Sequence, residues 1–201
     1  MHNIKFTLSF CCMVVVLLLM IYFWLRSART FVNGPDGRTY GIIERNDPVK
    51  NKEVLYRFSE INARVNKLCN YCVEYKYPDY TRAQRMKKRW DKCSIKETSP
   101  KDTSIAYVIN KGTEFNICLI NKDSGELEDI NSTMFVVLHE LGHMMSVSWG
   151  HNDEFWSNFK LLISQSHKIG IYNYDNYNDK PREYCGISIY SNPCPNATCK
   201  N

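Results

Sequence analysis

His139-Glu140-Leu141-Gly142-His143 sets two imidazoles one helical turn apart, with a carboxylate beside the first of them. Side chains at i and i+4 share a helix face, so both rings can reach one divalent cation. A glutamate next to the first ring suits the role of general base toward a water activated by that cation. A catalytic zinc takes three protein ligands and keeps a fourth position for water. His151 is the candidate third ligand: it follows Gly150 and precedes a helix cap at Asn152, where a short reversal returns it toward the first pair. His2 and His167 are weaker candidates. His2 lies ahead of an apolar run, and His167 near a helix end that favours a cation anyway.

The elements that must position this set can be read from periodicity. Asn131 or Ser132 caps a helix that runs to about Met145, with Met134, Phe135, Val137, Leu138, Leu141 and Met144 as its apolar surface. Two histidines interrupt that surface, and burying them without partners would be costly, so a ligand is the economical explanation. A following helix starts at Asn152, with Asp153 and Glu154 at its positive end and Gly170 at its exit. Upstream, Ile105, Tyr107 and Ile109 alternate, Asn110-Lys111-Gly112 turns, and Phe115, Ile117 and Leu119 alternate again, which predicts a β-hairpin. Two further helices are expected, from about Lys52 to Tyr75 and from about Thr81 to Lys92, separated by Pro78.

At 201 residues the chain has room for one domain and an appendage. Phe6 to Leu25 is an uncharged, mostly apolar run ending in Tyr22-Phe23-Trp24, with Arg26 and Arg29 beyond it. It reads as an uncleaved single-span anchor, a removed signal sequence being the alternative. Basic residues after the span lean toward a cytosolic domain, whereas the sequons at Asn131 and Asn196 and the many cysteines fit a lumenal or external one. Cys11 and Cys12 sit within the run; Cys69, Cys72, Cys93, Cys118, Cys185, Cys194 and Cys199 are odd in number, so they cannot all pair within the chain. Cys194 and Cys199 flank a loop that a bridge could close, and Cys69 and Cys72 read as buried thiols in a helix, a redox or metal motif being the alternative. The net charge of +5 concentrates in Arg82, Arg85, Lys87, Lys88, Arg89 and Lys92. That run reads as a solvated helix face with Ala83, Met86 and Trp90 inward, the alternative being contact with anionic lipid or nucleic acid.

From His139 through Gly150-His151-Asn152-Asp153-Glu154-Phe155-Trp156 the chain resembles the zinc core of the WLM and SprT-like metallopeptidases. The spacer Met144 to Gly150 is longer than in the WLM pattern and shorter than in SprT-like proteins. The hairpin with Asn110-Lys111-Gly112 and the later Tyr184-Cys185-Gly186 resemble a variant carried by large DNA viruses. The resemblance implies a gluzincin-like minimal protease with an active-site helix under a small sheet, whose edge strand pairs with an extended peptide. The Phe115 to Ile120 strand is the expected edge, and Tyr184 or another C-terminal tyrosine the expected second oxyanion donor.

The expected architecture is therefore α+β: an anchor over residues 1–30, a linker over 31–51 and a zincin-like domain over 52–201. The expected function is that of a membrane-anchored zinc endopeptidase, with zinc on His139, His143 and His151 and Glu140 as base. Two alternatives stand beside it. One is a non-catalytic membrane or virion component stabilised by zinc, with Cys185 as a fourth ligand; the other is a DNA-associated protease of protein crosslinks. Protein or peptide substrate and membrane are the expected partners, ahead of nucleic acid.

Overall fold

The computed structural model describes residues 13–18, 20, 29–99, 102–191 and 193–194. Strands β1 (Arg29–Asn33) and β2 (Thr39–Ile43) lead into helix α1 (Pro48–Tyr75), helix α2 (Tyr80–Lys92) and strand β3 (Ser94–Glu97). Strands β4 (Ala106–Ile109) and β5 (Glu114–Ile117) form the expected hairpin, followed by helices α3 (Ile130–Met145) and α4 (Asp153–Lys168) and a small hairpin of β6 (Arg182–Tyr184) and β7 (Ile187–Ile189). The main sheet is mixed, in the order β1-β2-β3-β5-β4, with parallel pairs at its centre and antiparallel pairs at both edges. The α+β class holds.

Alternation along the strands sends one row of side chains, Tyr40, Ile95 and Phe115, into the core. There Tyr40 stacks on Phe58 of α1 at 5.0 Å, and Phe115 meets Trp90 of α2 at 5.8 Å. Helix α1 turns Val54, Phe58, Ile61, Val65, Leu68 and Cys72 to the same core, at the three- and four-residue steps that predicted it. It starts four residues before the expected Lys52, because Asp47 accepts from the Lys50 amide and Pro48 opens the first turn. Cys69 and Cys72 are fully buried on this face, and burial pushes the Cys72 thiol up to about 12.

Three expectations change. No helix among the described residues is long and apolar enough to cross a membrane, which overturns the N-terminal anchor and the single-pass membrane localisation. Within the apolar run, helix is described at residues 13–18 and 20 alone. The rest of the run, with Cys11 and Cys12, lies outside the described residues. Second, residues expected as linker hold β1 and β2, whose connection is the Asn33 to Gly37 turn, with the Gly37 amide donating to the Gly34 carbonyl at 3.0 Å.

The third change concerns the cysteines. Cys118 is bonded to Cys185, tying the end of the β4–β5 hairpin to the β6–β7 hairpin. Closing a loop across 67 positions of chain restricts the unfolded ensemble, a stabilisation of about 4 kcal/mol. Cys194 is disulfide-bonded as well, while Cys199 and the Asn196 sequon lie outside the described residues.

Candidate metal centre

Helix α3 is buried along nearly its whole surface and runs through the middle of the domain. Its cap is Asp129, which accepts from the Ser132 amide at 2.8 Å, rather than Asn131 or Ser132. Asn131 instead exchanges hydrogen bonds with the backbone of Asn173, joining α3 to the C-terminal segment. His139 and His143 leave α3 on one face, with ring centres 5.2 Å apart.

His151 returns to that pair from the loop between α3 and α4. Its Nε2 lies 2.9 Å from Nε2 of His139 and 3.2 Å from Nε2 of His143. All three ligand atoms fall within 4.8 Å of one another, a spacing that could hold a metal ion. His167 is elsewhere, its Nδ1 accepting from the Tyr174 amide at 3.4 Å, and His2 lies outside the described residues. Burial, followed by the charge of neighbouring histidines, holds His139 down at about 3 and His143 at about 4. At neutral pH both rings are therefore neutral and carry free lone pairs, the state that binds metal.

Phe155, in the first turn of α4, is the platform beneath the three rings. Its ring stacks on His143 at 4.3 Å and meets His151 and His139 edge-on at 4.6 and 4.8 Å. Gly142 permits this approach, since a Cβ there would stand 3.1 Å from Cε2 of Phe155. Gly150, with φ +77°, makes the left-handed turn that aims His151 inward, and Asn152 caps α4 by accepting from the Phe155 amide.

Glu154 braces the same loop. Its carboxylate accepts from the Val147 and Ser148 amides, each at 2.9 Å, and from the Ser148 hydroxyl. Partial burial pushes this carboxyl up, but the Ser148 hydroxyl, the two amides and Arg85 outweigh it and hold the group at about 2. A depressed folded value means that the ionised brace stabilises the fold fully above the unfolded value near 4.5, and that this contribution is lost as pH falls toward 2. A Glu154→Gln chain should therefore lose thermal stability less steeply than the wild type between those two pH values. Parallel melting curves of the metal-free proteins check this, and identical slopes would contradict it.

The basic helix has a role that the sequence reading missed. Arg85 donates to the Met145 carbonyl at 2.7 Å, and Arg89 to the carbonyls of Met144 and Ser146 at 2.7 and 2.9 Å. Two guanidiniums of α2 thus cap the C-terminal end of α3, where the helix dipole favours cations. Lys111, in the β4–β5 turn, donates to the Ser148 carbonyl and lies over the Trp149 ring at 4.7 Å. These residues hold the His143–His151 loop from outside. Ala83, Met86 and Trp90 do point inward, but the opposite face is only partly solvated.

The rings and Glu140 line a cavity of about 300 Å³, together with Ala106, Tyr107 and Val108 of β4 and with Lys111 and Trp149. Glu140 is 7% exposed, and burial pushes its carboxyl up to about 8 when no cation faces it. Among the described residues, the free strand edge beside this cavity is β4. The expected edge, β5, is paired on both sides, because β3 joins it in parallel. Tyr184 is not at the site: it is fully buried and its hydroxyl donates to the Cys118 carbonyl at 2.6 Å. Cys185 is consumed in the bond to Cys118 and is not a thiolate ligand.

No family model matches the chain. It is 30% identical over 141 residues to uncharacterized protein R325 of Acanthamoeba polyphaga mimivirus, covering 69% of this chain and 72% of that protein. It is 34% identical over 82 residues to uncharacterized protein 136R of Invertebrate iridescent virus 6, covering 40% of this chain and 44% of that protein. Among solved structures, that of Wss1 from Saccharomyces cerevisiae aligns with a TM-score of 0.45 at 19% identity, over 64% of this chain and 88% of that one. A likeness of that size carries no functional weight.

Proposed function

We propose a zinc-dependent endopeptidase activity for this chain, which belongs to the family of the viral protein R325 from Acanthamoeba polyphaga mimivirus. What carries the reading is the convergence of three imidazole Nε2 atoms beside Glu140, on a cavity whose rim is the unpaired edge of β4.

The donor set fits zinc. Three ring nitrogens at these spacings face a common centre, where a cation would be shared by their lone pairs. His139, His143 and His151 would hold zinc, which would supply Lewis acidity and the means to ionise a water near neutral pH. Glu140 accepts the proton of the attacking water and returns it to the leaving amine. The open edge of β4 offers its unpaired amides and carbonyls to an extended polypeptide, which aligns a peptide bond over the cavity. Phe155, Glu154, Arg85, Arg89 and Lys111 keep the ligands and their loop in place.

A closed structural zinc would need a fourth protein ligand, and the cysteine suggested for that place is in a disulfide. The test is direct. Full-length chain given one equivalent of zinc should fragment an unfolded protein, and a chelator should stop the reaction. Intact substrate under a range of unfolded proteins would contradict the proposal.

A further inference from the structure

On the far side of Lys111 from the metal cavity lies a second concavity of about 500 Å³, between α2 and the β4–β5 turn. Its walls carry Arg85, Lys88, Arg89, Lys92 and Lys111, with no carboxylate among the lining residues. Among the described residues none of these five cations forms an ion pair, although most other basic residues along α1 and α2 do. Arg85, Arg89 and Lys111 donate to carbonyls, and the Glu154 carboxylate offsets part of their charge from beyond ion-pair distance. Lys88 and Lys92 are exposed at the rim. Burial, then Arg85, pushes the Arg89 guanidinium below its ordinary range, and burial, then Arg89, does the same to Lys111. Like charges are crowded here at a cost to the isolated chain, the pattern of a surface built for an anion.

We propose that this groove binds an acidic segment of the polypeptide whose peptide bond lies over the metal centre. This specificity rests on the peptidase reading above. Lys111 lines both cavities, so they are neighbours. The β4 edge ends at the turn that forms one wall of the groove. An extended chain paired with β4 therefore crosses the catalytic cavity and passes Asn110 into the groove within a few residues. A nucleic acid would satisfy the charge, but it has no amide backbone to pair with β4.

The test uses full-length chain carrying Glu140→Gln, loaded with zinc, and fluorescent peptides identical except for two glutamates or two glutamines on one flank. Anisotropy should show the acidic peptide binding roughly tenfold tighter at low salt, the size expected of two or three exposed charge pairs. The difference should vanish at about 0.5 M salt. It should also vanish in Lys88→Gln/Lys92→Gln and reverse toward lysine-flanked peptides in Lys88→Glu/Lys92→Glu, with melting temperatures confirming that both variants fold. Equal binding of the two peptides, or a preference that survives loss of both lysines, overturns the proposal. So does a single-stranded oligonucleotide that binds more tightly than the acidic peptide through the same lysines. Because the readout is binding, it is separate from turnover: acid-selective binding without cleavage by the wild type contradicts the peptidase reading and leaves the groove assigned to acidic polypeptide.

Discussion

Replacing Glu140 with glutamine should reduce kcat by about a thousandfold and leave zinc affinity nearly unchanged. Glu140 is buried on α3, in the wall of the cavity that the ligand rings occupy. Glutamine keeps its size and packing but cannot accept a proton at neutral pH, so the loss isolates proton transfer. General acid–base catalysis contributes about 10²–10⁴-fold. The residue serves twice, for the attacking water and for the leaving amine, which places the expected loss in the middle of that range or above. Zinc should bind with unchanged stoichiometry, because the carboxylate is not among the three converging atoms. Steady-state kinetics beside calorimetric zinc titration separates the two quantities. A variant within tenfold of wild-type kcat would remove Glu140 from the mechanism.

The second large effect belongs to His151. Removing it leaves two rings on one helix face and no third donor among the clustered His, Cys, Asp and Glu side chains described. Zinc sites with four ligands bind with about 10–16 kcal/mol, or about 3–4 kcal/mol per ligand, so His151→Ala should weaken zinc by about 10²–10³-fold. The substitution spares the fold: His151 is exposed, and the α4 cap belongs to Asn152. His167→Ala is the matched control and should leave the affinity untouched, since His167 faces Tyr174 and not the cavity. Equal zinc affinity in the two variants would show that His151 is not a ligand.

The histidine cluster was legible because helical periodicity is local. A spacing of four residues puts His139 and His143 on one face whatever surrounds them. The cap residue at Asn152 and the glycine at 150 gave the position of the third ring from chain-local signals as well. What the sequence concealed is non-local. The β4–β5 hairpin was visible, but which of its strands is the edge depends on β3, a four-residue strand that pairs in parallel with β5. Four residues, Ser94 to Glu97, carry too little alternation to announce such a partner. The same holds for the basic helix. Its amphipathic pattern gave the inward face correctly, but only tertiary packing brings Arg85 and Arg89 to the end of α3. The strands β1 and β2 did leave a signal, short runs of β-branched and aromatic residues on either side of Asn33-Gly34-Pro35-Asp36-Gly37, and a linker reading passed over it. Tyr184 sits in a Tyr-Cys-Gly turn whose purpose is covalent, because Cys185 is the half of a bridge that seals the core.

Cobalt(II) added to the metal-free full-length chain tests the centre itself. The account predicts saturation at one equivalent, visible bands of a nitrogen- and oxygen-ligated ion with an open position, and no thiolate charge-transfer band in the near ultraviolet. A spectrum that never saturates, or one dominated by sulfur, would contradict it.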